Sequence, residues 1–116
     1  MEKKYSRETQ IKIEKFLNFL ESWEDLFSIS INYYVGGWAI FLREKNMFPR
    51  SIVVFSPYDS DYCSIKSFEI SFDKNTKEIF TELYNKENIK GLNALFIELK
   101  EVIYGKDIIN TIKRKQ

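Results

Sequence analysis

The chain has no histidine. That removes Ser-His-Asp and Cys-His nucleophiles, every His-ligated zinc site, imidazole acid–base catalysis and the pH switch that histidine supplies. It has one cysteine, Cys63. A lone thiol makes no internal disulfide, builds no thiolate cage for a metal, and suits a reducing compartment. Neither GxxxxGK[ST] nor GxGxxG occurs, so no recognised phosphate loop is present. No apolar run approaches the roughly 18 residues of a membrane-spanning helix. The amino end, MEKKYSRETQ, has no apolar signal core. Charge of one sign is also missing: 18 Lys and Arg stand against 17 Asp and Glu. The chain therefore lacks the basic excess of a nucleic-acid-binding domain. These absences lead us to expect a cytoplasmic protein with no cofactor, no membrane association and no direct nucleic-acid binding.

What is present is apolar and aromatic. Hydrophobic residues make up 44% of the 116 residues, aromatics 16% and charged residues 30%. That is a globular composition, and the length fits one domain, residues 1–116. Lys, Asn, Ile, Phe and Tyr are frequent and Ala occurs only at Ala39 and Ala94. This bias is the one AT-rich coding produces, as in low-GC bacteria, phages and mobile elements.

The most patterned stretch is Phe27 to Glu44. Phe27, Ile29, Ile31, Tyr33 and Val35 alternate with smaller polar residues, and Trp38, Ile40 and Leu42 continue the alternation after Gly36-Gly37. Period two predicts half-buried strands, and a Gly-Gly pair suits a two-residue type I′ turn. That turn places Val35 opposite Trp38, Tyr33 opposite Ile40 and Ile31 opposite Leu42, all on the core face. Tyr34 and Phe41 then fall on the other face, where they are either covered by another element or form a contact patch.

Before the hairpin, Ile13, Phe16, Leu17, Leu20 and Trp23 recur at helical spacing, with Ser6 as N-cap. After it, Ser51 to Ser56 is a short continuous apolar run, expected to be a strand covered on both faces. In Cys63 to Phe72, Phe68, Ile70 and Phe72 share a phase that Ile65 does not, which predicts a bulge near Lys66-Ser67. Asn75 with Glu78 reads as a capping box, and Ile79, Phe80, Leu83 and Tyr84 as a helix stripe. Leu92, Leu95, Phe96, Leu99, Val102 and Ile103 form the most regular helical stripe, closed by Gly105. Asp107 would cap a last short helix. The expected fold is α+β: an N-terminal helix, a four-stranded antiparallel meander sheet, and two or three C-terminal helices packed on it.

Without histidine, carboxylates carry the remaining catalytic options. Asp59, Asp61 and Glu69 would be the ligands of a metal-dependent enzyme. An Asp-x-Asp pair in a short loop reads first, however, as solvated turn chemistry. Cys63 reads as a small apolar filler and Lys113-Arg114-Lys115 as a solvated end. The favoured expectation is a non-enzymatic protein-binding inhibitor, monomeric until it meets its partner. The narrower expectation is an immunity protein that occludes a cognate bacterial toxin. Alternatives are a phage-encoded inhibitor of a host defence enzyme and the metal enzyme above. The expected contact residues are Tyr34, Phe41, Arg43, Tyr58, Asp59, Asp61 and Tyr62, because Tyr and Arg concentrate binding energy at interfaces. Phe48 and Arg50 stand in the same loops. Between Asp59 and Glu87, seven acidic residues outnumber four basic ones. Asp59, Asp61, Glu69 and Asp73 are therefore candidates for mimicking the phosphates of a nuclease substrate.

Overall fold

The computed structural model describes residues 7–45, 50–58 and 60–108. Helix α1 (Arg7–Leu20) runs into one 3-10 turn at Glu21–Trp23. Five strands follow: β1 (Phe27–Tyr33), β2 (Gly37–Glu44), β3 (Arg50–Pro57), β4 (Tyr62–Phe72) and β5 (Glu78–Lys90). Helix α2 (Leu92–Ile103) closes the described chain with a helical turn at 106–108. The strands form one antiparallel meander in the order β1-β2-β3-β4-β5. The α+β class holds, with five strands in place of four.

The fifth strand replaces the helix expected from Ile79, Phe80, Leu83 and Tyr84. β5 carries two extra residues relative to β4, one between the pairs Cys63–Ile89 and Ile65–Lys86, and one between Ser67–Tyr84 and Phe68–Glu82. The second irregularity inserts Leu83. An extra residue breaks period two, and the resulting spacing imitates a helix. The expected capping box at Asn75 is instead a reversal. Asp73 Oδ1 accepts hydrogen bonds from the backbone N–H of Asn75 (2.8 Å) and Lys77 (2.9 Å). Thr76 takes φ 61° there.

An irregularity does occur close to the expected position, between Ser67 and Phe68, but the extra residue is on β5 and not on β4. β4 is regular against β3, from Arg50–Glu69 to Phe55–Ser64. Ile65 lies on one face of the sheet, and Phe68 and Ile70 on the other.

The first hairpin also turns one residue early. Tyr33 pairs with Trp38, Ile31 with Ile40 and Ile29 with Leu42. Tyr34 N–H donates to Gly37 O at 2.8 Å, leaving Val35-Gly36 at the tip. Neither Gly36 nor Gly37 has positive φ, so this is not a type I′ turn. Gly37 serves close approach: a Cβ there would stand 2.4 Å from Ser56 O. A shift of two leaves every face unchanged, so Trp38, Ile40 and Leu42 are buried as expected. Val35, expected in the core, is 96% exposed at the tip.

Both helices pack on one face. Ile13, Phe16 and Leu20 of α1, with Leu95, Leu99, Val102 and Ile103 of α2, meet Trp38, Ile40, Leu42, Ile52, Val54, Cys63, Ile65 and Ile89 of the sheet. Phe16 lies edge-on to Trp38 at 5.9 Å, and Phe19 stacks on Phe96 at 4.3 Å. Leu17, expected in this stripe, is largely outside it.

Arg50 fixes the far end of α2. Its guanidinium donates to Val102 O (2.8 Å), Ile103 O (2.9 Å) and Asp107 Oδ1 (2.8 Å). Ser67 Oγ donates to the other Asp107 oxygen at 2.7 Å. Arg50 and Asp107 are almost fully buried. Arg50 is therefore part of the core, not the contact residue its loop position suggested. Gly105, with φ 107°, ends the helix as expected, its N–H donating to Val102 O.

Candidate protein-binding surface

Side chains alternate across a strand, so the residues between those packed under the helices point to the other face, where Ala39 and Ile70 are also buried. Among the described residues no helix or strand lies over that face. It carries Ser28 and Ser30 from β1, Phe41 and Arg43 from β2, Ser51 and Val53 from β3, Phe68 from β4 and Phe80 from β5. With Ile29 at its margin, this set lines a groove of about 470 Å³. The register aligns Ser28–Arg43, Ser30–Phe41, Phe41–Val53 and Arg43–Ser51–Phe68. Phe68 and Phe80 meet edge-to-face at 6.3 Å. Phe41, Val53 and Phe68 are half-buried and Phe80 is exposed. At the rim Arg43 Nη2 meets Glu78 Oε1 at 2.6 Å. An apolar, aromatic centre bordered by hydroxyls and an ion pair has the layout of a protein interface: a water-excluding core within a polar rim.

Six of the seven contact residues expected from sequence are described, and they separate into two groups. Phe41 and Arg43 lie in the groove. Tyr34, Tyr58, Asp61 and Tyr62 lie at the opposite end of the sheet, around the first hairpin. There Tyr58 N–H donates to Gly36 O (3.3 Å), and Tyr58 also packs against the main core. Tyr34 and Tyr62 are about half exposed. Asp61 uses its carbonyl to accept from Gly91 N–H at 2.8 Å, which joins the β3–β4 loop to the start of α2. Asp59 and Phe48 lie outside the described residues.

The acidic residues are not brought together. Asp61 precedes β4, Glu69 pairs with Arg50 near its other end, and Asp73 lies beyond that end. Eight residues of extended strand put Asp61 and Glu69 about 25 Å apart. Among the described residues no group of three or more Cys, Asp or Glu is placed to hold a metal ion. Cys63 is buried in the main core.

Val53, Phe68 and Phe80 are the apolar residues at the centre of the groove that were not expected as contacts from the sequence. The signal for two of them was present: Val53 interrupts no apolar run, and Phe68 is out of phase with Ile65. Both patterns mark strands that are apolar on two faces. Phe80 was hidden by the irregular spacing of β5.

A second polar cluster ties β5 to α2. The Glu98 carboxylate accepts from Tyr84 Oη (2.9 Å), Lys86 Nζ (2.6 Å) and Lys106 Nζ (2.8 Å). Burial pushes the Glu98 carboxyl up, but the hydrogen bonds from Lys106, Lys86 and Tyr84 outweigh it and hold the group at about 2. Burial, with the hydrogen bond to Glu98, raises the Tyr84 hydroxyl. Hydrogen bonds to Glu98 and Glu101 raise Lys106. A carboxylate ionised this firmly does not donate protons near neutrality, so the cluster acts as a fastening between elements.

No family model, curated protein or solved structure matches the chain. Among the described residues no helix is long and apolar enough to cross a membrane.

Proposed function

We propose that this chain is a non-enzymatic inhibitor that binds another protein in the groove of its helix-free sheet face. The observation that carries this reading is the placement of Phe41, Val53, Phe68 and Phe80 together on that face, with Arg43 and Glu78 at the rim. Groove residues stand on neighbouring strands of one sheet, so the surface is preformed and little ordering is needed on binding. Arg and aromatic residues at the centre of a preformed surface supply most of the affinity of such contacts.

Within this class the reading we favour is an immunity protein of the cytoplasm that occludes a toxin's active site. The acidic residues of β4 and its flanking loops are spread along the strand. The recognition we assign to the groove is accordingly aromatic and apolar, without phosphate mimicry. The experiment compares the wild-type chain with Phe41→Asp and Phe68→Asp as affinity baits in lysate of the native host. The expected result is a stoichiometric partner held by the wild type and lost by both variants. Co-expression then tests the narrower reading: the partner should arrest growth alone and be neutralised by this chain. A partner that is a harmless defence enzyme inhibited by the chain would replace immunity with defence inhibition. A partner retained equally by all three baits would remove the groove from the proposal.

A further inference from the structure

We infer that β1 is a self-association edge, through which two copies of this chain join their sheets. β1 is a terminal strand of the meander. Which of its backbone groups point outward follows from two hydrogen bonds. Lys45 N–H donates to Leu26 O at 2.9 Å, and Tyr34 N–H donates to Gly37 O at 2.8 Å. Hydrogen-bonded and non-hydrogen-bonded pairs alternate along an antiparallel ladder. Even-numbered residues from Leu26 to Tyr34 therefore direct their N–H and C=O toward β2. Ile29 and Ile31 direct theirs to the free edge.

Sheets normally guard such an edge with charge, proline or a bulge. The other edge, β5, is guarded. It carries Glu78, Glu82, Lys86, Glu87 and Lys90, two irregularities in its register, and Asn88 at φ 59°. β1, FSISINY, has no charged residue and no proline, and its register with β2 is unbroken.

The occupant this edge fits is a second β1. The strand reads alike in both directions about Ser30: Ile on either side, then Ser28 and Asn32. A two-fold axis through Ser30, perpendicular to the sheet, brings Ile29 opposite Ile31 of the second copy and Ser28 opposite its Asn32. Both isoleucines are among the residues whose backbone groups point outward, so the pairing is also the one the ladder requires. The axis preserves faces, which keeps isoleucines against isoleucines on the helix side and hydroxyls against amides on the open side. The nearest charges, Glu24 and Asp25, fall opposite the uncharged Val35-Gly36 tip of the second copy, so like charges do not meet. Ser28 and Ser30 also line the groove, and pairing would bring the two grooves to adjoin across the axis. The assembly is a dimer where the sequence suggested a monomer, and it does not depend on the chain having another partner.

Sedimentation equilibrium over a range of concentrations tests the inference with the wild type, Ser30→Lys, and an equimolar mixture of Ser30→Lys and Ser30→Glu. Ser30 is exposed, so the fold should survive both substitutions. The wild type should show a monomer–dimer equilibrium. Two lysines facing each other at the axis should weaken it roughly fivefold, and the mixture should restore it. Hydrogen exchange on the wild type gives a reading that needs no variant: the amides of Ile29 and Ile31 should slow with rising concentration while those of β5 do not. A wild type that stays monomeric throughout would overturn the inference. So would a dimer indifferent to Ser30→Lys, or Ile29 and Ile31 amides that exchange at one rate at all concentrations.

Discussion

The two faces of the sheet are built from the same strands and share apolar and aromatic residues, yet only one of them is covered. On one, Trp38, Ile40, Leu42, Ile52 and Val54 are fully buried beneath two helices. On the other, Phe41, Val53, Phe68 and Phe80 remain in part accessible around a groove. Burying a large apolar side chain contributes roughly 1.5–3 kcal/mol. The helix side collects that gain on folding. The open side leaves part of it unused, and under the proposed function a second molecule collects the remainder. Hydrophobicity alone therefore does not separate the covered face from the open one; the position of the helices does.

The largest effect should come from the buried ion pair that anchors α2 to the covered face. Arg50→Ala removes the buried guanidinium that Asp107 and the Val102 and Ile103 carbonyls share. It should cost about 3–5 kcal/mol in urea unfolding. Arg50→Lys should recover little, because one ammonium cannot reproduce the fork. Full recovery by lysine would show that charge alone suffices.

Leu42 and Phe41 are neighbours in sequence on opposite faces, which makes them the direct comparison. Leu42→Ala should cost about 2–5 kcal/mol of stability. Phe41→Ala should cost about 1 kcal/mol or less, and under the proposed function it should abolish capture of a partner. Equal losses of stability would mean that the open face is core and would end the distinction.

The hairpin offers a smaller contrast. Gly37→Ala must displace Ser56 O or Pro57 and should cost about 1–3 kcal/mol. Gly36→Ala meets nothing within 4 Å and should stay within about 0.5 kcal/mol. Thermal unfolding of both variants would test whether close approach of β2 to β3, and not a turn conformation, requires the glycine.

The smallest effect concerns pH. Glu98 is held at about 2 in the folded chain, below its ordinary 4.5. A depressed carboxylate stabilises the fold fully above its unfolded value and loses that contribution as pH falls from about 4.5 toward 2. Glu98→Gln should be destabilised by about 1.5 kcal/mol at pH 7. The gap to wild type should close as pH falls through that window. A gap independent of pH would mean that Glu98 acts through packing rather than charge.

Much of this architecture was legible residue by residue. The spacing of Ile13, Phe16 and Leu20, and of Leu95, Leu99 and Val102, identified both helices. Alternation identified β1, β2 and β4 and the faces of the hairpin. β5 was misread because Leu83 interrupts its period, and local spacing cannot distinguish an irregular strand from a helix. The hairpin register slipped because the steric need for Gly37 lies on β3, which only the folded sheet brings near. Arg50 was misread as a contact residue because its partners, Val102, Ile103 and Asp107, are more than fifty residues away.

By itself the sequence determined the α+β class, helices α1 and α2, the first four antiparallel strands and which residues of the first hairpin share a face. These follow from periodicity, a property of neighbours along the chain. Only the tertiary structure decided that both helices cover one face, that Phe41, Val53, Phe68 and Phe80 meet in a groove on the other, and that Arg50 is buried while β1 stands at an edge. Those outcomes depend on contacts between distant segments, and periodicity carries no information about which segments meet.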